Sequence, residues 1–152
     1  MSHLITGPDL TQRPPRSPRV RLGGFVILPR MLDKCRATII GKNGEYHYNC
    51  PLDHHFLKFT GIDSDLLKAE VAKGLGDGEI LEWILANASI KNQPWQILQW
   101  SAYHDLRGPD SDAETLGWFA ETVGKLSKNR EDIRTWQDLL DLDDHVSFGG
   151  KA

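Results

Sequence analysis

The sequence predicts an all-α protein, an irregular bundle of six or seven short helices preceded by an extended arm rich in proline and arginine. Three observations carry the prediction. From Phe25 onward, apolar residues recur at spacings of three and four, the period of helices with one buried face. Glycine, proline and capping side chains interrupt that pattern at short intervals, which sets short helices joined by short links. Ahead of it, Pro8, Pro14, Pro15 and Pro18 forbid a helix and favour a polyproline-like path through Arg13, Arg16, Arg19 and Arg21.

The elements follow in order. Residues 1–22 form the basic arm, expected to pack on the helical domain of residues 23–152. Phe25, Leu28, Leu32, Cys35 and Ile39 make one apolar stripe on a first helix ending near Gly41, with Pro29 in its first turn or kinking it. Residues 44–49 alternate like a short extended segment, Tyr46 and Tyr48 on one face, His47 and Asn49 on the other. Pro51 opens a helix through Leu57 and Phe59 that Gly61 closes, and Asp63 or Ser64 caps one carrying Leu66, Leu67, Val71 and Ala72. Asp77 is expected to cap the next, with Ile80, Leu81, Trp83, Ile84, Leu85 and Ala88; apolar around more than half its circumference, it is the expected central helix. Residues 92–94 start a helix with Trp95, Leu98, Ala102 and Leu106, stopped by Gly108-Pro109. Ser111 and Glu114 have capping-box spacing ahead of Leu116, Phe119, Val123 and Leu126. Asn129 restarts the chain for Ile133, Trp136, Leu139, Leu140 and Leu142. Of the five tryptophans, Trp100 and Trp118 lie off the main stripes of their helices and are the first places to look for a pocket or an oligomer contact.

At 152 residues the chain fits one globular domain, and its apolar runs are far shorter than the ~20 residues that cross a bilayer. No export signal follows Met1, so a cytoplasmic location with Cys35 and Cys50 as free thiols is expected. The net charge of −3 hides an asymmetry. Residues 1–42 carry eight basic and two acidic side chains (+6), and the rest ten basic and nineteen acidic (−9). The arm is therefore expected to lie across the acidic body, or across a second copy of it in a homodimer. The same acidic body repels nucleic acid, which is disfavoured as a partner.

Candidate chemistry comes from residue types. Arg30, Asp33 and Lys34 sit at i, i+3 and i, i+4 spacing, where they form either a solvated face or an anion cradle in which Asp33 orients Arg30 and Arg16 or Arg19 of the arm closes over the top. His47, Asn49 and Asp53 are polar pocket candidates beside Cys50, although a Cys50–His47 dyad suffers from the opposite facing of residues three apart in an extended segment. His104-Asp105 and Asp143-Asp144-His145 are acid–histidine pairs that suit caps as well as a general base. No histidines show the i, i+4 pairing of a helical metal motif, so no metal is assigned, and no nucleotide or nucleophile-elbow motif names a cofactor or a catalytic residue.

The stretches P-P-R-S-P-R-V-R-L-G-G-F-V-I-L-P-R-M-L-D-K-C-R-A, G-K-N-G-E-Y-H-Y-N-C-P-L-D and G-D-G-E-I-L-E-W-I resemble the bacterial family known as domain of unknown function 5069. The resemblance runs from about Asp9 to the closing residues. It implies a small helical protein and supplies no activity, cofactor or catalytic residue. The functional expectation is a helical domain that binds an anionic small molecule, or an acidic protein surface, where the arm meets the first helix. A protein–protein or self-association module is the alternative, and an enzyme of unknown reaction the third.

Overall fold

The computed structural model describes residues 5–109 and 112–152. Seven helices occur among them, and no strand: α1 Leu28–Ile39, α2 Pro51–Thr60, α3 Ser64–Val71, α4 Asp77–Asn87, α5 Pro94–Leu106, α6 Ala113–Leu126 and α7 Trp136–Ser147. None is long and apolar enough to cross a membrane. The main apolar core gathers α1 to α5 around Phe25, Met31, Leu32, Phe56, Leu67 and Ile84. A smaller cluster of Phe119, Val123, Leu139 and Leu142 joins α6 to α7.

The first helix starts three residues later than its apolar stripe. Gly23 and Gly24 both take positive φ, and Leu22 and Phe25 exchange backbone hydrogen bonds (3.0 Å each way) across this tight turn. Phe25 and Val26 are therefore buried ahead of the helix. Pro29 can only occupy a first turn, and Ile27 precedes it with φ 74°, a conformation costly for a β-branched residue. Ile27 is held there because its N–H donates to Pro18 O (2.9 Å) and its carbonyl accepts from Met31 (2.9 Å).

The central helix is α1, not α4. Eight of its twelve residues are buried, whereas α4 buries Ile80 and Ile84 and leaves Leu85 half exposed. Asp77 is not the cap of α4. Gly76 takes that place, its N–H bonded to Glu79 Oε1 (3.3 Å), and Asp77 turns back to meet arginines. Asp63 does cap α3, accepting from the Asp65 and Leu66 amides. The Ser111 capping box lies outside the described residues, and Asp112 caps α6 through the Glu114 and Thr115 amides.

In α5 the sequence stripe faces outward: Trp95, Leu98 and Leu106 are 59%, 54% and 79% exposed. The face turned inward is Ile97, Trp100, Ser101 and His104. Ser101 explains the rotation, since its hydroxyl donates to Gly24 O (2.6 Å) and accepts from Val26 N–H (3.1 Å), satisfying the turn before α1. Trp100 stacks on Phe59 at 4.9 Å within the core, whereas Trp118 is exposed on α6. Residues 128–135 are not helical, and α7 begins only where Thr135 and Asp138 form a reciprocal cap.

From residue 5 onward the arm lies on the helices. Leu10 is buried and its N–H donates to Lys42 O (2.9 Å); Arg16, Arg19 and Arg21 each meet carboxylates of the body.

Candidate functional site

Charged side chains on successive turns of α1 are sorted to different neighbours. On one face Arg30, 3% exposed, makes a two-pronged pair with Asp144 of α7, Nη1 to Oδ2 at 2.7 Å and Nη2 to Oδ1 at 3.2 Å. Its Nη1 also donates to Arg16 O (3.3 Å), and the Tyr46 hydroxyl donates to Asp144 Oδ1 (2.7 Å) while its ring lies under the guanidinium. Burial and this bond to Asp144 push the Tyr46 hydroxyl above its ordinary range, so it remains a donor at neutral pH.

One turn on, Lys34, also 3% exposed, donates from Nζ to Asp53 Oδ1 (2.9 Å) and to Cys50 Sγ (3.1 Å). Asp53 is fully buried in the first turn of α2, and its Oδ2 accepts the Asn49 N–H (2.9 Å). That bond goes with a left-handed Asn49 (φ 66°), a conformation asparagine tolerates better than most residues. The Asn49 side-chain oxygen accepts from the His54 imidazole at 2.9 Å.

Asp33 faces elsewhere. It accepts from Arg16 N, Nε and Nη2 (2.9, 3.0 and 3.0 Å), and Arg16 Nη1 reaches on to Asp77 Oδ2 (2.7 Å), while Asp77 Oδ1 accepts from Arg36 Nη1 (2.7 Å). Burial works against the charge on Asp77, but Arg16 and Arg36 outweigh it and hold the carboxyl below its usual range. Arg19 lies on α7, bonded to Asp138 and to Asp141 (3.0 Å), away from Arg30. The arrangement read from the sequence is thus corrected: Asp33 orients Arg16, Asp144 orients Arg30, and the arm contributes a backbone carbonyl to Arg30 rather than a guanidinium. Residues 44–49 form turns, not an extended strand, because Asn43 brackets Tyr46 with two hydrogen bonds. Tyr46 and Tyr48 consequently part, one to Asp144, the other to Ser64 O (2.7 Å).

Arg30, Lys34, Tyr46, His47 and Cys50 line one cavity of about 520 Å³ between α1, the 44–50 turn and the end of α7. Leu10, Leu52, Leu140 and Phe148 supply its apolar surface. The buried charged groups on its wall are the two cations, and the acids, Glu45 and Asp143, are at the exposed rim. Burial and the neighbouring Asp144 raise the Asp143 carboxyl above its usual range. Among the described residues, Asp144 and the Arg16 carbonyl take three of the five N–H groups of Arg30, and Lys34 keeps one of three. A second cavity, about 450 Å³, is lined by Arg13, Arg16, Arg36 and Gly76, and its own Asp33 and Asp77 already engage Arg16 and Arg36.

Asn49 and Asp53 stand behind the first cavity rather than on its wall. His104 is buried between Trp100, His55 and Tyr103, far from a role as cap. His145 Nε2 donates to the Lys151 carbonyl (3.1 Å). Among the described residues no group of three histidine, cysteine or acidic side chains is placed to hold a metal ion. Sequence reasoning missed Asp144 as the partner of Arg30; the signal was its position in an acidic run facing a basic arm, 114 positions away along the chain.

No curated protein matches the chain. A family model described as domain of unknown function (DUF5069) matches residues 12–146, and on a match covering that much of its length the chain belongs to this family.

Proposed function

We propose that the protein binds an anionic small molecule in the cavity between α1, the 44–50 turn and the end of α7, in a bacterial cytoplasmic setting where its two thiols stay reduced. One observation supports the reading: Arg30 and Lys34, one turn apart and both 3% exposed, line the same cavity. Two buried ion pairs side by side contribute little stability over apolar packing of the same volume, which favours a role for them beyond holding the fold. A cavity of this size, mostly apolar with a few convergent polar groups, matches small-molecule sites in general. A carboxylate or phosphate group would accept from Arg30 and Lys34 while Asp144 and Asp53 keep both cations aimed.

Thermal shift against carboxylates, phosphates and sulfates tests the reading. A ligand at ~100 times its Kd adds about 2.7 kcal/mol, or roughly 5–10 °C for a chain of this size. Ser147→Trp, at an exposed position on the cavity wall, is expected to abolish the shift. If no class of anion raises the midpoint, the reading fails.

Self-association is the second reading, favoured by the outward α5 stripe of Trp95, Leu98 and Leu106 with Tyr103 beside it. A twofold pairing with a second copy would bury the same stripe on both chains. Light scattering on the wild type and on Leu98→Glu decides: a dimer lost in the variant supports it, and a monomer at high concentration removes it.

A further inference from the structure

The last turns of α5 meet α2 at two imidazoles. His55, half-buried on α2, and His104, 4% exposed on α5, lie ring against ring with centres 4.8 Å apart and planes at 51°. Neither ring makes a hydrogen bond among the described residues. Buried Arg30, Lys34, Asp53, Ser101 and Asp144 all have hydrogen-bond partners, so an imidazole buried as deeply without one calls for a ligand of its own. The neighbours of the pair do not supply it. Trp100 and Tyr103 press their rings on His104 at 4.5 and 5.1 Å, and Phe59 stacks on Trp100 at 4.9 Å, which holds the His104 ring in place and gives its nitrogens no hydrogen-bond partner.

The spacing of the two rings suits a shared ion. A metal bound about 2.0–2.1 Å from an imidazole nitrogen lies about 3.2 Å from the ring centre, so two rings cis on one ion, about 90–110° apart, have centres roughly 4.5–5.2 Å apart. The observed 4.8 Å falls inside that range. Burial lowers both imidazoles, so neither holds a competing proton at neutral pH. Of the charges around the pair, Arg107 and Lys58 oppose a cation and Asp105 favours one. The Arg107 guanidinium sits over the Trp136 ring of α7 (5.8 Å), and Asp105 Oδ1 is buried with no hydrogen-bond partner among the described residues. That balance, with two protein ligands rather than four, sets an exchangeable site and not a structural one.

We propose that His55 and His104 together bind one divalent ion of the borderline class that imidazole suits, Zn2+, Ni2+ or Cu2+, with water or a small ligand completing its coordination. The two ligands come from different helices, 49 positions apart, so no i, i+4 spacing announces them in the sequence. The half-buried His55 is the side open to solvent. Neither histidine lines the two cavities described above, and the site stands apart from the anion reading. An ion held there cross-links α2 to α5, the helix whose Ser101 secures the Gly24 turn ahead of α1.

The test titrates the full chain, isotope-labelled at its histidine nitrogens, with Zn2+ alone and reads the imidazoles by nuclear magnetic resonance. One ring nitrogen of His55 and one of His104 are expected to shift together and saturate at one equivalent, while His47 and His145 stay in place. His55→Gln, at the half-buried position where folding is least at risk, removes a ligand and should cost at least what losing an outer-shell partner costs, on the order of tenfold in Zn2+ affinity. His104→Gln, checked for helicity, should do the same, and His145→Gln should leave the affinity unchanged. No saturable shift at millimolar Zn2+, or saturation elsewhere with His55 and His104 unmoved, overturns the proposal. So does a His55→Gln variant that binds Zn2+ as the wild type does.

Discussion

Replacing Asp144 by alanine should be among the most damaging single changes in this protein. Asp144 and Arg30 are 6% and 3% exposed, and the carboxylate accepts two N–H groups and the Tyr46 hydroxyl. Removing it leaves the guanidinium with the Arg16 carbonyl as its remaining hydrogen-bond acceptor among the described residues, deep in the protein. Breaking one side of a buried pair costs about 3–5 kcal/mol, and the stranded Tyr46 hydroxyl adds about 1 kcal/mol. With a urea slope of about 2 kcal/mol/M, the midpoint of denaturation falls by about 2–3 M at unchanged slope. Arg30→Met/Asp144→Leu removes both charges and should lose much less than Asp144→Ala alone. A fall below about 0.5 M for the single variant, or a double variant worse than the single, would refute the argument that the burial of an unpaired cation sets the cost.

Further outcomes follow from other parts of the fold. Burial, with His55 and Arg107 nearby, lowers the His104 imidazole to about 4, below its unfolded value of 6.5, so the unfolded chain binds the extra proton first. Stability contributed by neutral His104 is therefore present above pH 6.5 and lost as pH falls from 6.5 towards 4, at up to about 1.4 kcal/mol per pH unit; urea midpoints of His104→Phe should flatten over that window. Gly108→Ala would place a Cβ 2.6 Å from the Arg134 carbonyl and should cost about 1–3 kcal/mol, whereas Gly117→Ala, with open space on α6, should gain about 0.5–1 kcal/mol by thermal melting. Arg16→Ala removes the contacts to Asp33 and Asp77 and should lower hydrogen-exchange protection of the Ile27 and Leu10 amides without unfolding α5. Leu106→Lys, at a position 79% exposed, should change stability by less than about 0.5 kcal/mol.

The helices were legible in their punctuation. Pro51, Gly61, Asp63 and Pro94 stand at element boundaries because a missing N–H, a left-handed turn or a capping carboxylate acts within one turn of its own position. Which face a helix buries was less so. In α5 the larger apolar residues face outward, because a small hydroxyl at Ser101 must reach the Gly24 turn seventy-seven residues away in sequence. The apolar content of α4 likewise exceeded what its position at the edge of the core could bury, and α1 became central although it carries Arg30 and Lys34. The spacing of Arg30 and Lys34 put them on one face, but the choice of Asp144 and Asp53 as partners depends on the packing of α7 and α2. A surplus of +6 against −9 says nothing of which carboxylate meets which arginine. The Cys50–Lys34 contact was hidden for the same reason: the two are sixteen positions apart, separated by the end of α1 and the turns that follow it, and sequence proximity pointed instead to His47.

The most direct test of the anion cavity is nuclear magnetic resonance mapping of the anion that gives the largest thermal shift. The account predicts saturable shifts confined to Tyr46, His47, Leu52, Leu140 and Phe148, the residues around Arg30 and Lys34. Shifts centred instead on Arg13, Leu75 and Gly76 in the second cavity, or spread over the arginine arm without saturation, would contradict it.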